Sequence, residues 1–180
     1  MGTLQFRKIT KSLEDISFDC GVESINDYVR ESYYPVLTQH AYTFSIMNGD
    51  IVLGYFQILF REIELEDFPE EISEYDPEIK RTISAIHIRY IAIDKKYQRK
   101  GIGNATLQAI IKNVERLAEL WPIRVITLDA MVHLVPWYMQ VGFVKMKTNT
   151  LGQDGVSDAM YFDCMKHADE LAEFMESTAY

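Results

Sequence analysis

Six consecutive residues, Gln98-Arg99-Lys100-Gly101-Ile102-Gly103, carry the clearest chemical signal in the chain. They stand between an apolar strand-like run and a helical stripe. The first amides of a helix lack intrahelical partners and sit at the positive end of its dipole, so a phosphate placed there meets several donors at once. Gly101 and Gly103 clear side chains from that approach and permit unusual backbone angles. Arg99 and Lys100 add positive charge. Asn104-Ala105-Thr106 follows, so the Lys-Ser/Thr pair of a Walker loop is missing, and so is the three-glycine spacing of a dinucleotide fingerprint. A bare Gly-x-Gly also fits a strand-to-helix turn that binds nothing, and only its surroundings separate the two readings.

Those surroundings are the elements that must position the loop. Ile83–Ile93 is rich in β-branched and aromatic residues and predicts a central strand leading into Asp94-Lys95-Lys96-Tyr97. Leu107, Ile110, Ile111, Val114, Leu117 and Ala118 recur at helical spacing, with Pro122 marking the end. Ile123–Leu128 predicts the next strand, so strand, helix and strand form a parallel crossover unit. Upstream, Leu4–Ile9 alternates as a first strand. Val22, Ile25, Tyr28, Val29 and Tyr33 predict one amphipathic helix stopping near Pro35, with Tyr34 held out of the helical region. Ala41–Met47 and Ile51–Phe60 predict a hairpin around Asn48-Gly49-Asp50. Glu62–Glu78, acidic and holding Pro69 and Pro77, predicts an exposed loop or short helix. Downstream come a short helix from Pro136 to about Val141, late strands at Val144–Thr148 and Met160–Cys164, and an acidic terminal helix over Ala168–Met175. The order predicts a mixed α/β domain built on one mixed sheet.

Composition sets bounds on function. At 180 residues the chain has room for one domain and one real core. No apolar stretch is long enough to span a bilayer and no signal-peptide pattern opens the chain, so a cytoplasmic protein without a membrane is expected. Cys20 and Cys164 are too far apart in sequence for a zinc spacing, and His40, His87, His133 and His167 form no metal motif, so no metal is expected. The net charge of −9 opposes nucleic acid and suits a cationic partner such as an amine.

Taken together, Tyr90-Ile91-Ala92-Ile93-Asp94-Lys95-Lys96-Tyr97-Gln98-Arg99-Lys100-Gly101-Ile102-Gly103 resembles the acyl-CoA motif of the GNAT superfamily of N-acetyltransferases, Gln/Arg-x-x-Gly-x-Gly/Ala after a strand and a short basic turn. Trp137-Tyr138-Met139-Gln140-Val141-Gly142-Phe143 resembles the family's second signature, an aromatic-Tyr pair followed by Gly-Phe. Phe18-Asp19-Cys20-Gly21 before a helix is similar to a subset that includes acetyltransferase toxins.

The resemblance implies a GNAT-like fold over residues 1–180, with a central pair of strands that splay apart. Acetyl-CoA would be the cosubstrate. Ile91, Ala92 and Ile93 would hold its pantetheine arm by their main chain. Arg99 through Asn104, that is Arg99, Lys100, Gly101, Ile102, Gly103 and Asn104, would cradle its diphosphate, with Gln98 ordering the loop. The amide of Ile91 or Ile93 would face the oxyanion. Tyr138 would be the acid near the thioester sulfur, being protonated at neutral pH with an ordinary pKa of about 10. His87 would be the base, titrating near neutrality. Each also has a plain structural reading, Tyr138 as an aromatic core residue and His87 as a sheet residue with one satisfied hydrogen bond. Relatives often carry an Asn before the Tyr; here Asp129-Ala130-Met131-Val132-His133 holds none. Neither motif contains Cys or Ser, so direct attack by an amine is expected rather than an acetyl-enzyme. Three functions stay open: acetyl transfer to a primary amine, a toxin acting on aminoacyl-tRNA, and a non-catalytic acyl-CoA module. Dimers are common in the family, so the resemblance leaves a homodimer open without fixing the oligomeric state. The acceptor site is expected between Ser24–Gln39 and Lys147–Asp158.

Overall fold

The computed structural model describes residues 4–68, 82–147 and 157–165. Seven strands form one sheet in the order β1-β2-β3-β4-β5-β7-β6. They are β1 Gln5–Lys8, β2 Tyr42–Asn48, β3 Ile51–Glu64, β4 Thr82–Ile93, β5 Val125–Met131, β6 Val144–Lys145 and β7 Ser157–Asp163. Only β4 and β5 run parallel, as a strand–helix–strand crossover requires. The other neighbours are antiparallel.

The crossover helix, α3 (Ile102–Ala118), buries Leu107, Ile110, Ile111 and Val114 against one face of the sheet. That stripe meets Ile86, Ile88, Ile126 and Leu128 in the largest apolar cluster. Each fully buried Leu or Ile contributes about 1.5–3 kcal/mol, so this packing holds the loop at the helix start in register with the strand before it. The short helix α4 (Val135–Gln140) joins the same cluster through Val135 and Tyr138. The other face is covered by α1 (Glu23–Arg30) and α2 (Tyr33–Leu37), where Val29, Val36 and Phe18 pack on Tyr55, Tyr90 and Ala92.

The expected single helix over Val22–Tyr33 is two helices, broken at Glu31-Ser32. Pro35 does not end it. Pro35 and Tyr34 lie in the first turn of α2, where proline's missing N–H costs nothing because first-turn amides have no partner within the helix. The hairpin turn falls at Gly49-Asp50, since Asn48 pairs with Ile51. β3 is longer than expected and consumes the start of the acidic segment, running to Glu64 before a 3-10 turn at Leu65–Asp67. Phe68, expected in an exposed loop, is fully buried and packs edge-on to Tyr161 at 5.2 Å. The rest of that acidic segment, the loop around Gly152 and Gly155, Thr148 and the expected helix over Ala168–Met175 lie outside the described residues. Cys20 and Cys164 are both thiols.

Candidate active site

The site begins where β4 and β5 part. Their ladder runs from Ala85↔Val125 to Ile88↔Leu128 and goes no further, although β4 continues to Ile93 and β5 to Met131. A bulge helps to open the gap: Tyr90 pairs with Gln57 and Ile88 with Ile58, leaving Arg89 as the extra residue on β4. On the other side β4 stays paired to β3, from Tyr90 to Ile93. The amide of Asp94 donates to Leu53 at 2.9 Å. Amide directions alternate along an antiparallel strand, so Ala92 shares the orientation of Asp94 while Ile91 and Ile93 turn their amides into the gap. The expected splayed strand pair is therefore present, with the two amides implied for an oxyanion facing the opening.

The strand leads into a 3-10 turn, Lys95–Tyr97, capped by the Asp94 carboxylate, which accepts from the Lys96 amide at 3.0 Å. Gln98 follows. Its Nε2 donates to the carbonyl of Ile93 at 2.9 Å and to that of Cys20 at 2.7 Å. Arg99 adopts φ +57°, a left-handed conformation costly for a residue with a Cβ, and Gly101 caps α3 at φ +76°. Gly103 sits inside the first turn, and a Cβ there would touch only Ile93 Cγ1 at 4.0 Å. Packing within the protein thus does not require glycine at 103, whereas close approach of a ligand from outside would. Ile102 is buried and pins the helix start, while Asn104 lies on its first turn. Lys100 reaches back to the Lys96 carbonyl at 3.0 Å, and its Nζ lies 5.6 Å from the Tyr97 ring centre. Ile91 to Ile93 and Gln98 to Asn104 are thereby brought together along one side of the gap.

Tyr138 comes from α4, packed edge-on to Phe143 at 5.7 Å and beside Trp137 at 4.5 Å. Burial pushes its hydroxyl up to about 12. It stays protonated at any physiological pH, so its hydroxyl is suited to donate a hydrogen bond rather than to lose its proton.

His87 differs from expectation. It is buried on β4 between β3 and β5, and burial, with Arg61 and Arg89 nearby, pushes its imidazole down to about 4 instead of the near-neutral value. Its Nδ1 lies 3.4 Å from Arg61 Nη1 and 3.1 Å from Thr127 Oγ1. Arginine can only donate, so Nδ1 is the acceptor and the hydrogen is assigned to Nε2. Nε2 in turn lies 3.9 Å from Asp129 Oδ2. Arg61, Thr127 and Asp129 were not anticipated from sequence, because the two neighbouring strands β3 and β5 bring them to His87 on β4. Asp129 is the first β5 residue beyond the ladder, with its side chain 45% exposed at the mouth of the gap. Burial raises its carboxyl above the ordinary value. These residues line a pocket of about 160 Å³ together with Glu62 and Glu64.

Residues 77–161 match the family described as Acetyltransferase (GNAT) domain. Within that segment the chain matches a GNAT acetyltransferase domain. One relative, described as probable toxin TacT from Sinorhizobium fredii (strain NBRC 101917 / NGR234), is 24% identical over 119 residues. That match covers 64% of this chain and spans 65% of the relative's length. Among solved structures, AtaT complexed with acetyl-methionyl-tRNAfMet superposes with a TM-score of 0.75 at 16% identity, over 97% of this chain and 99% of that one. AtaTR bound with AcCoA superposes with a TM-score of 0.70, also at 16% identity, over 96% and 98%. The likeness to both is one of fold. Among the described residues, no group of His, Cys, Asp or Glu is arranged to hold a metal ion, and no helix is long and apolar enough to cross a membrane.

Proposed function

We propose that this GNAT domain moves the acetyl group of acetyl-CoA to a primary amine by direct attack in a ternary complex, and that the amine is the amino group of an aminoacyl-tRNA. The observation that carries the first half is the pairing of the Arg99–Gly103 loop at the opening of α3 with the inward amides of Ile91 and Ile93. Such a loop suits a diphosphate and such a strand suits an acyl-pantetheine arm. The second half leans on the likeness to a toxin relative and to a fold neighbour solved with acetylated methionyl-tRNA. That likeness weighs more than the net charge of −9, which on its own disfavours nucleic acid. We read residues 1–180 as one such domain acting in the cytoplasm.

In this reading the neutral amine attacks the thioester carbonyl. Negative charge collects on the carbonyl oxygen, where the Ile91 or Ile93 amide stabilises it. The amine proton passes to Asp129, the exposed carboxylate at the mouth of the gap. His87, its Nδ1 lone pair engaged by Arg61 and Thr127, turns Nε2–H toward that carboxylate and positions it, and so offers the amine no free lone pair of its own. The C–S bond then breaks, and the CoA thiolate leaves against the Tyr138 hydroxyl as hydrogen-bond donor. Arg99, Lys100, Gly101, Ile102, Gly103 and Asn104 hold the cofactor, Gln98 orders their loop, and none of them takes part in bond making.

Incubating the purified protein with labelled acetyl-CoA and a panel of charged tRNAs, free amino acids, polyamines and peptides tests this. Label is expected on the aminoacyl group of charged tRNA, with release of free CoA. Label on small amines and none on charged tRNA would overturn the acceptor; no label anywhere, with tight CoA binding, would favour a non-catalytic module.

A further inference from the structure

The toxin-like motif Phe18-Asp19-Cys20-Gly21 lies far from the gap in sequence, yet it ends on the cofactor loop. The main-chain carbonyl of Asp19 accepts from the Lys95 amide at 2.9 Å. The Asp19 carboxylate takes Lys95 Nζ at 2.7 Å. The Cys20 carbonyl accepts from Gln98 Nε2 at 2.7 Å. Gly21 has φ +91°, a conformation that favours glycine, and it lies so close to Lys95 that a Cβ on it would stand 2.9 Å from Cε of that flexible side chain. Three hydrogen bonds and one close approach thus join residues 19–21 to residues 95–98.

The strap is itself held from behind. Phe18 is buried, edge-on to Tyr55 at 5.3 Å. Asn26, fully buried on α1, accepts from the Cys20 amide at 2.9 Å and donates to the Asp19 carboxylate at 3.1 Å. That carboxylate also accepts from the Gly21 amide at 2.7 Å. The Asp19–Lys95 ion pair is exposed and adds little by itself. The main-chain bonds and Gln98 make the joint specific. Gln98 is its pivot, because one NH₂ group ties Cys20 of the strap to Ile93 of the splayed strand, directly before the strained Arg99.

We propose that residues 18–21, clamped by Asn26, form a strap whose task is to position the diphosphate-binding loop through Gln98 and Lys95. Asp19 and Gln98 are positioning residues in this proposal, and neither needs to touch the cofactor. The proposal rests on the reading of 99–104 as the CoA diphosphate site. It accounts for Phe, Asp, small backbone and Gly at four consecutive places without any contact to an acceptor. An anion site made of backbone amides works only while those amides converge, and a loop containing a left-handed arginine has no regular structure of its own to enforce convergence.

Two variants approach the joint from opposite sides: Gln98→Leu on the loop and Asp19→Ala on the strap. Each is titrated calorimetrically with CoA, and by chemical-shift changes with pantetheine, which lacks the diphosphate. Both variants are expected to bind CoA about tenfold more weakly than the unaltered protein, the scale of one or two lost hydrogen bonds, with pantetheine affinity unchanged. Equal weakening toward both ligands would mean a general structural role and would overturn the proposal, as would unchanged CoA binding in either variant. If the unaltered protein takes up no CoA, the cofactor reading fails and the strap's task fails with it.

Discussion

At the scale of single residues, environment changes what sequence suggests. Tyr138 was expected as an acid of ordinary pKa; its burial raises the hydroxyl to about 12, which favours donation of a hydrogen bond to a leaving sulfur over transfer of the proton. Tyr138→Phe removes that donor and keeps the ring packing against Phe143. Turnover is expected to fall roughly 10–100-fold with CoA affinity within about twofold, read from steady-state rates beside a CoA titration. His87 carries a second prediction. The unfolded chain takes up a proton near the ordinary value of 6.5, whereas the folded protein refuses it until about 4. The unfolded state therefore binds more protons across that window, and this share of stability is lost as pH falls from about 6.5 to about 4. At most about 3 kcal/mol is involved. Urea unfolding of the unaltered protein and of His87→Asn, from pH 7 to pH 4, should show the unaltered protein declining more steeply. Asp129, with its raised carboxyl, works in the opposite sense toward the acid end, and both proteins share it.

At the scale of elements, what was legible is what periodicity encodes. The stripe Leu107, Ile110, Ile111, Val114 marked α3, and all four residues are buried as the period demands. The β-branched run of β4 and the Asn-Gly hairpin were equally plain. The break between α1 and α2 was not. The apolar positions keep helical spacing across it, and the break coincides with a local bond, Ser32 Oγ donating to the Val29 carbonyl at 2.7 Å. Nor was the length of β3 legible, since acidic residues at its far end hide a strand that pairs with β4 as far as Glu64↔Thr82. The loop Gln98–Gly103 was visible as a motif, but Arg61, Thr127 and Asp129 were not visible as a group, because only strand register brings residues from β3, β4 and β5 together. The platform role of α3 is testable by itself. Leu107→Ala, at a fully buried position, is expected to cost about 2–4 kcal/mol by chemical denaturation, and a rescreened cost below 1 kcal/mol would mean the helix is not anchored as described.

At the scale of the whole molecule, one sheet is asked to do two things. Its β1–β4 side stays closed through long antiparallel ladders, while β4 and β5 open beyond Ile88↔Leu128. Two helical layers sit on opposite faces, α3 fixing the loop from one and α1 with its strap reaching it from the other. The acidic chain charge then matters chiefly for the acceptor, and the loop gathers its own positive character from amides, Arg99 and Lys100. The central claim is that main-chain amides at the opening of α3 and along the end of β4 grip the cofactor. Amide hydrogen exchange with and without saturating CoA measures this directly. The account predicts slowed exchange confined chiefly to the amides of 99–104, Ile91 and Ile93. Unchanged exchange at those amides, in a protein that demonstrably binds CoA, would contradict it.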